Sequence, residues 1–322
     1  MGTNCYVDNN GGNTMVDEKI VIGAKTKYPL NGILSLPNES NGLVPAVVLV
    51  HGSGPTNMDE KIGNNYPFKD LAEGLSEKGI AVLRYDKRTF VYGKEMRNDT
   101  GLSVKEETIE DAILSANFLR NDSRIDANKI FIAGHSMGGM LAPRIDAEGG
   151  NFSGIIIMGG SPRKLEEIIL EQNNDVLNSL NKFLKMIAKK QIAAFSSKFE
   201  NIYNLSDEEA KSTLVFGKYA RAYYFKEMGE HPPINYLKVM DKPAFILQGE
   251  KDFQVSVEKD FNGYKNIVGD TRNVTFKLYP NLNHLFMPSV YGKILKAKKE
   301  YKVAQHVDKQ VIKDISEWIL SI

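Results

Sequence analysis

The chain of 322 residues has a single cysteine, Cys5, and a single tryptophan, Trp318. One thiol excludes an internal disulfide framework and a cysteine-rich zinc site, although it assigns no compartment. An excess of one charge is also missing. Lys and Arg number 41 against 40 Asp and Glu, so no net field draws the chain to nucleic acid or to an anionic membrane. No stretch reaches the roughly 20 apolar residues that a membrane-spanning helix needs. The first ten residues lack the apolar core of a signal peptide, and Tyr6 stands where a myristoylation signal carries Ser or Thr. The expectation is a soluble protein, either cytoplasmic or secreted with its leader removed. Internal repeats and low-complexity tracts are absent too.

What is present is a regular alternation. Residues 1–17 are rich in Asn and Gly, show no periodicity, and read as an unpacked arm. Lys19–Ile22 and Leu30–Pro37 read as an antiparallel pair at a sheet edge. From Ala46 onward come continuous apolar runs, each followed by a turn and a helical pattern, as expected of parallel strands buried on both faces. The runs are Ala46–Val50, Ile80–Tyr85, Ile130–Ala133, Gly154–Met158, Ala244–Leu247 and Val274–Tyr279. Helical spacing occupies Pro67–Lys78, Val104–Leu119, Met137–Glu148, Val257–Ile267 and Val303–Leu320. This pattern predicts an α/β fold with a doubly wound, mostly parallel sheet. Between Ser161 and Lys242 the alternation stops, and Lys, Ile, Leu and Glu recur at helical spacing with no strand run. Such a length is too great for a structureless loop. A helical cap insertion over residues 163–240 is expected, dividing the core into 18–162 and 241–322, and covering the strand ends where open α/β sheets bind ligands.

The chemistry centres on Gly134-His135-Ser136-Met137-Gly138, which follows a buried strand and opens a helix. In that context the glycines permit a sharp turn that presents the serine hydroxyl to solvent. A serine hydroxyl is a weak nucleophile at neutral pH; it needs a histidine to take its proton and a carboxylate to orient that histidine. Of five histidines, His51 and His135 lie within glycine turns, His231 lies in the insertion beside two prolines, and His306 falls on the last helix. His284 follows the strand Val274–Tyr279, in a strand-end loop. Asp252 likewise follows Ala244–Leu247, with Glu250 and Asp260 as rivals, the latter reading as a solvated helix residue. The order Ser136, Asp252, His284 suits a nucleophile–acid–base triad. Acyl transfer also needs donors to the tetrahedral oxyanion, each worth about 3 kcal/mol. The amides of Met137 and of Ser53, within His51-Gly52-Ser53-Gly54-Pro55, are the candidates.

Together with Arg84-Tyr85-Asp86-Lys87-Arg88, Gly249-Glu250-Lys251-Asp252 and Asn283-His284-Leu285-Phe286, these motifs resemble the α/β-hydrolase superfamily. The chain looks most like bacterial esterases of its serine-aminopeptidase-like and prolyl-oligopeptidase-like branch, from about Glu18 to Trp318. That resemblance implies an α/β-hydrolase fold and ester cleavage without metal or cofactor. It further implies Ser136, Asp252 and His284 as the triad, with Ser53 and Met137 forming the oxyanion hole. Many such relatives continue the Asp-x-Arg turn with Gly-x-Gly, where this chain has Thr89-Phe90-Val91-Tyr92-Gly93. Phe90 and Tyr92 are therefore candidates for narrowing the acyl pocket or for packing. In the insertion, the aromatic run from Phe216 to Phe225 makes Tyr219, Tyr223 and Tyr224 candidate substrate contacts, with packing of the cap as the alternative. Lys182, Lys185, Lys189 and Lys190 read as a solvated face.

The expected partner is a small-molecule ester, with neither nucleic acid nor membrane, and the reading leaves room for a homodimer. Peptidase, thioesterase and acyltransferase chemistries use the same machinery and stay open, as does a non-catalytic ligand-binding homologue.

Overall fold

The structure, a computed structural model, describes residues 4–5, 15–38, 42–216, 220–269 and 273–322. The strands, in chain order, are β1 (Asn4–Cys5), β2 (Met15–Ile22), β3 (Leu30–Pro37), β4 (Val44–Val50), β5 (Ala81–Tyr85), β6 (Ile125–His135), β7 (Gly154–Met158), β8 (Leu214–Phe216), β9 (Ala220–Arg221), β10 (Ala244–Gly249) and β11 (Val274–Tyr279). Nine of them form one sheet in the order β1-β2-β3-β5-β4-β6-β7-β10-β11, and β8 pairs with β9 apart from it. Pairing is antiparallel from β1 through β3 to β5 and parallel from β5 to β11.

The parallel strands form where the sequence is apolar at consecutive positions, because both faces of the sheet are covered. In β4, Val47 and Leu49 point to one core, shared with Phe68 and Leu71 of α1 (Pro67–Ser76), which the C-terminal helix also joins through Val311 and Ile315. Ala46, Val48 and Val50 point to the other core, against α3 (Glu110–Arg120) and α4 (Met137–Ile145), which follow a short helix α2 (Arg88–Met96). Each aliphatic side chain buried in this way contributes about 1.5–3 kcal/mol of transfer free energy. The crossovers after β4 and β5 leave toward opposite sides of β4, since β5 and β6 flank it. That reversal opens a crevice at the carboxyl ends of β4 and β6.

The insertion contains α5 (Leu165–Asn178), α6 (Lys182–Ser196), α7 (Asp207–Ser212), α8 (Ala222–Glu230) and α9 (Pro233–Leu237). It has its own small core of Phe199, Ile202, Ala210, Val215, Ala222 and Phe225. Helix α7 starts at a reciprocal cap, in which Ser206 Oγ accepts from the Glu209 amide and the Glu209 carboxylate accepts from the Ser206 amide. Lys182, Lys189 and Lys190 of α6 are exposed, and Lys185 is half-buried. After β10 come α10 (Asn262–Val268), α11 (Ala297–Glu300) and α12 (Lys309–Leu320).

Four expectations change. Strand β2 begins at Met15, inside the segment read as an unpacked arm, and Asn4–Cys5 pairs with Val16 and Asp17. The gain comes from Arg84, whose guanidinium lies 3.4 Å from Asp17 Oδ2. The β8–β9 hairpin interrupts an insertion expected to be helical throughout; strands of three and two residues are too short to show alternation. The turn carrying Phe90 and Tyr92 is helical, as α2, with a kink at Tyr92. Finally, α12 starts at Lys309 rather than Val303, because Asp308 caps it through the Gln310 amide, leaving His306 ahead of the helix.

Two glycines separate a close approach from open space. A Cβ on Gly138 would stand 2.2 Å from the Val50 carbonyl oxygen and 2.6 Å from that of His51, whereas one on Gly93 would meet nothing within 4 Å. Gly138→Ala is expected to lose at least ~2 kcal/mol in urea unfolding, since backbone must move to admit the methyl group. Gly93→Ala, inside α2, is expected to be neutral or to gain up to about 1 kcal/mol. Equal midpoints for the two variants would contradict this reading of the packing.

Candidate active site

Ser136 sits between β6 and α4 with φ 52° and ψ −118°. A non-glycine residue in that region stores about 1–3 kcal/mol of strain, which the surroundings must hold. They do so on both sides. The Ser136 amide donates to the Met158 carbonyl at 2.8 Å, and the Ser136 carbonyl accepts from Met140 at 3.1 Å. Gly134 and Gly138 let strand and helix touch: a Cβ on Gly134 would lie 2.2 Å from the Gly138 carbonyl oxygen. The hydroxyl is thereby raised at the wall of a cavity of about 460 Å³ that Ser53, Met137 and Tyr224 also line.

His284 follows β11 and Asp252 follows β10, and both side chains are buried. His284 Nδ1 donates to Asp252 Oδ2 at 2.6 Å, which leaves Nε2 as the nitrogen able to accept a proton. Asp252 Oδ1 is itself oriented by the amides of Gln254 and Val255, at 2.7 and 3.1 Å. The pair lies beside Gly159, where a Cβ would come within 3.3 Å of His284 Nδ1 and 3.6 Å of Asp252 Oδ2. Gly159 lines the same cavity as Ser136. The two rivals are placed differently. Glu250 is exposed. Asp260, expected on a solvated helix face, is fully buried and pairs with Arg163, because Ser161 and the Ser256 amide also bond its carboxylate.

The other histidines have different duties. Burial pushes His51 down to about 4, against the opposing charge of Glu60, and its Nε2 donates to the Asn57 carbonyl at 3.0 Å. His231 shares a hydrogen bond with the Tyr236 hydroxyl, and His306 is exposed beside Asp70. His135 opposes burial through Glu60, 2.9 Å away, whose charge and hydrogen bond hold the imidazole above its ordinary value.

The oxyanion candidates lie next to Ser136 in the chain and in space. Met137 is the first residue of α4, so its amide has no acceptor within the helix. Ser53 follows Gly52, and a Cβ on Gly52 would lie 3.1 Å from Ser136 Cβ. Around them runs a buried set of charges in which only Lys87 belongs to a motif. Lys87 Nζ donates to the Gly52 carbonyl at 2.8 Å and lies 2.9 Å from Glu107 Oε1. Burial alone would raise the Glu107 carboxyl, but the Lys87 ammonium and a hydrogen bond from Tyr224 hold it below its ordinary value. The Tyr224 hydroxyl donates to Glu107 Oε2 at 2.5 Å and lies 3.5 Å from Met137 Sδ. The one available signal was position: Lys87 stands two residues past the buried end of β5, at the rim where ligands bind.

Of the candidate substrate contacts, Tyr224 lines the cavity. Tyr92 instead donates to the Pro29 carbonyl at 2.7 Å and packs on Tyr28, while Phe90 is half exposed. Tyr223 lies beneath the Lys211 ammonium and packs in the cap's own core. None of these three lines the cavity, because α2 and α8 turn them to their own supports. Tyr219 lies outside the described residues.

Comparison with known proteins places the chain in a family. Residues 44–288 match the family described as serine aminopeptidase, S33. Esterase EstD of Thermotoga maritima is 36% identical over 294 residues, covering 90% of this chain and 65% of its own length. Among solved structures, Est1E from Butyrivibrio proteoclasticus superposes with a TM-score of 0.57 at 14% identity, over 94% of this chain and 99% of that one. The Pyrococcus horikoshii acylaminoacyl peptidase gives 0.52 at 16% identity, over 90% of this chain and 40% of that one. The strand-end turn of Ser136, the bonded His284–Asp252 pair and the glycine loop after β4, on a doubly wound sheet, thus coincide with a match over most of the chain, which belongs to the serine aminopeptidase S33 family of α/β-hydrolases.

Proposed function

We propose that this chain is a serine hydrolase that cleaves carboxylic esters of small or medium acyl or aryl groups. The observation that carries the reading is the buried 2.6 Å bond from His284 Nδ1 to Asp252, set beside the cavity that holds Ser136. With its Nδ1 proton committed to Asp252, His284 takes the Ser136 proton on Nε2 as the oxygen attacks the ester carbonyl. The carbonyl oxygen becomes an anion and meets the amides of Ser53 and Met137. Collapse expels the alcohol, which takes the proton back from Nε2 and leaves Ser136 acylated. Water then repeats the two steps and frees the acid.

The cavity wall supports an ester over an aminoacyl substrate. A free α-ammonium needs an unsatisfied carboxylate. Glu107 at the wall already accepts from Lys87, Thr89 and Tyr224, and Asp99 is exposed at the rim. The remaining wall is largely aliphatic and aromatic, with Met140, Leu165, Ile168 and Phe225, which suits an acyl chain or ring.

Three measurements test this. Wild-type protein should be labelled at Ser136 by a fluorophosphonate and Ser136→Ala should not; an unlabelled wild type sinks the reading. Turnover of p-nitrophenyl esters should rise with chain length to an optimum and exceed that of aminoacyl anilides, and faster anilide cleavage would make the protein a peptidase. Asp252→Asn should lower kcat by about 10⁴ with the fold intact, as the imidazole loses its oriented tautomer. Glu250→Gln should stay within about threefold of wild type by the same reasoning. If Glu250→Gln were the damaging change, the acid would be Glu250.

A further inference from the structure

The residue next to the anion-binding amide is held at both ends by buried charges. The Gly52 amide donates to Glu60 Oε1 at 2.8 Å, and the Gly52 carbonyl accepts from Lys87 Nζ at 2.8 Å. In a planar trans peptide the carbonyl of Gly52 and the N–H of Ser53 belong to one rigid unit and point to opposite edges. Whatever fixes the carbonyl direction fixes the N–H direction.

Both clamping groups are themselves over-determined. Glu60 is buried in a left-handed backbone conformation, φ 50°, which a glutamate adopts only when its surroundings insist. Its second oxygen, Oε2, lies 2.9 Å from His135 Nδ1, and His135 Nε2 donates to the His284 carbonyl at 2.9 Å. The nearby Glu60 carboxylate holds the His135 imidazole above its ordinary value against the pull of burial. Glu60 therefore joins the anion-binding loop, the residue before the nucleophile and the backbone of the base. Lys87 is buried with Glu107 as its counter-charge, and Glu107 is bonded by Tyr224 from the cap helix α8. Ion pairs buried like this cost desolvation that an apolar pair of the same volume would not. A role in direction accounts for them where a role in stability does not.

We infer that Lys87 and Glu60 are positioning residues for the oxyanion hole, Lys87 holding the Gly52–Ser53 peptide and Glu60 the peptide before it, so that the Ser53 N–H meets the developing anion. Lys87 also polarises that peptide, which strengthens the Ser53 N–H as a donor. The inference rests on the serine hydrolase reading and adds to it the group that aims one of the two donors.

The test uses the double variant Lys87→Met with Glu107→Gln, which removes the clamp donor and its counter-charge together and leaves no buried charge alone. Steady-state kinetics on p-nitrophenyl butyrate, thermal melting, and inhibition by an alkyl trifluoromethyl ketone are measured. The ketone's adduct with Ser136 places an oxyanion in the hole. Expected are a fall in kcat of about 100-fold, KM within about twofold, and a rise in the ketone's Ki that parallels the loss of kcat/KM. A folded double variant with kcat within about threefold of wild type overturns the inference, as does a lost kcat with ketone binding unchanged. If the double variant does not fold, Lys87→Gln is held to the same outcomes. Glu60→Gln keeps an acceptor for Gly52 while removing the charge facing His135, and it should show a smaller fall in kcat with the same parallel rise in Ki; no change in either counts against the Glu60 half. Fluorophosphonate labelling of wild-type Ser136 in the same preparation separates the two readings: labelled wild type with an unaffected clamp variant defeats only the clamp.

Discussion

Helix α4 lies against the end of β4 at a distance that only the bare α-carbon of Gly138 allows, and the position of Ser136 follows from that contact. With α4 so close, the chain leaving β6 must turn within one residue, and Ser136 takes the left-handed backbone angles that complete the turn. The strain is held by hydrogen bonds to β7 and to the first turn of α4. The same contact brings the first amide of α4 to the crevice where the sheet order reverses, beside Gly52 at the end of β4. The proposed nucleophile and anion donors thus share one cause, which is backbone packing rather than any interaction between the groups themselves.

The proposed acid and base are positioned differently. Asp252 and His284 come from loops after β10 and β11, adjacent parallel strands whose register pairs Gly249 with Tyr279. Parallel neighbours end together, so their following loops meet. Gly159, after β7, leaves room on the third side. The sheet therefore does by register what the helix does by contact.

Much of this was legible in the sequence because buried parallel strands write themselves as unbroken apolar runs, and strand-end loops then pick out Ser136, Asp252 and His284 from many other residues of the same types. The parts that escaped depend on partners far apart in the chain. Asp260 reads as a surface residue until Arg163, 97 positions earlier, is seen against it. Glu60 and Glu107 carry no local pattern at all; their meaning comes from His135, Lys87 and Tyr224. Helix α2 was hidden by Thr89, Val91 and Gly93, poor helix formers that tertiary contacts override. Phe90 and Tyr92 were judged by residue type, and type does not give direction on a helix whose orientation is unknown.

Tyr224 belongs to the cap and yet bonds the carboxylate that balances Lys87. Cap and the loop after β4 are consequently joined through one buried carboxylate. Under the proposed ester hydrolysis and the inferred clamp, a tail that fits the cap well and one that fits it badly then differ in how firmly the reacting carbonyl is met, and not only in how long the molecule stays. Selectivity in such an arrangement is written into the height of the barrier, so competing esters are sorted by speed of acylation even where their affinities are alike.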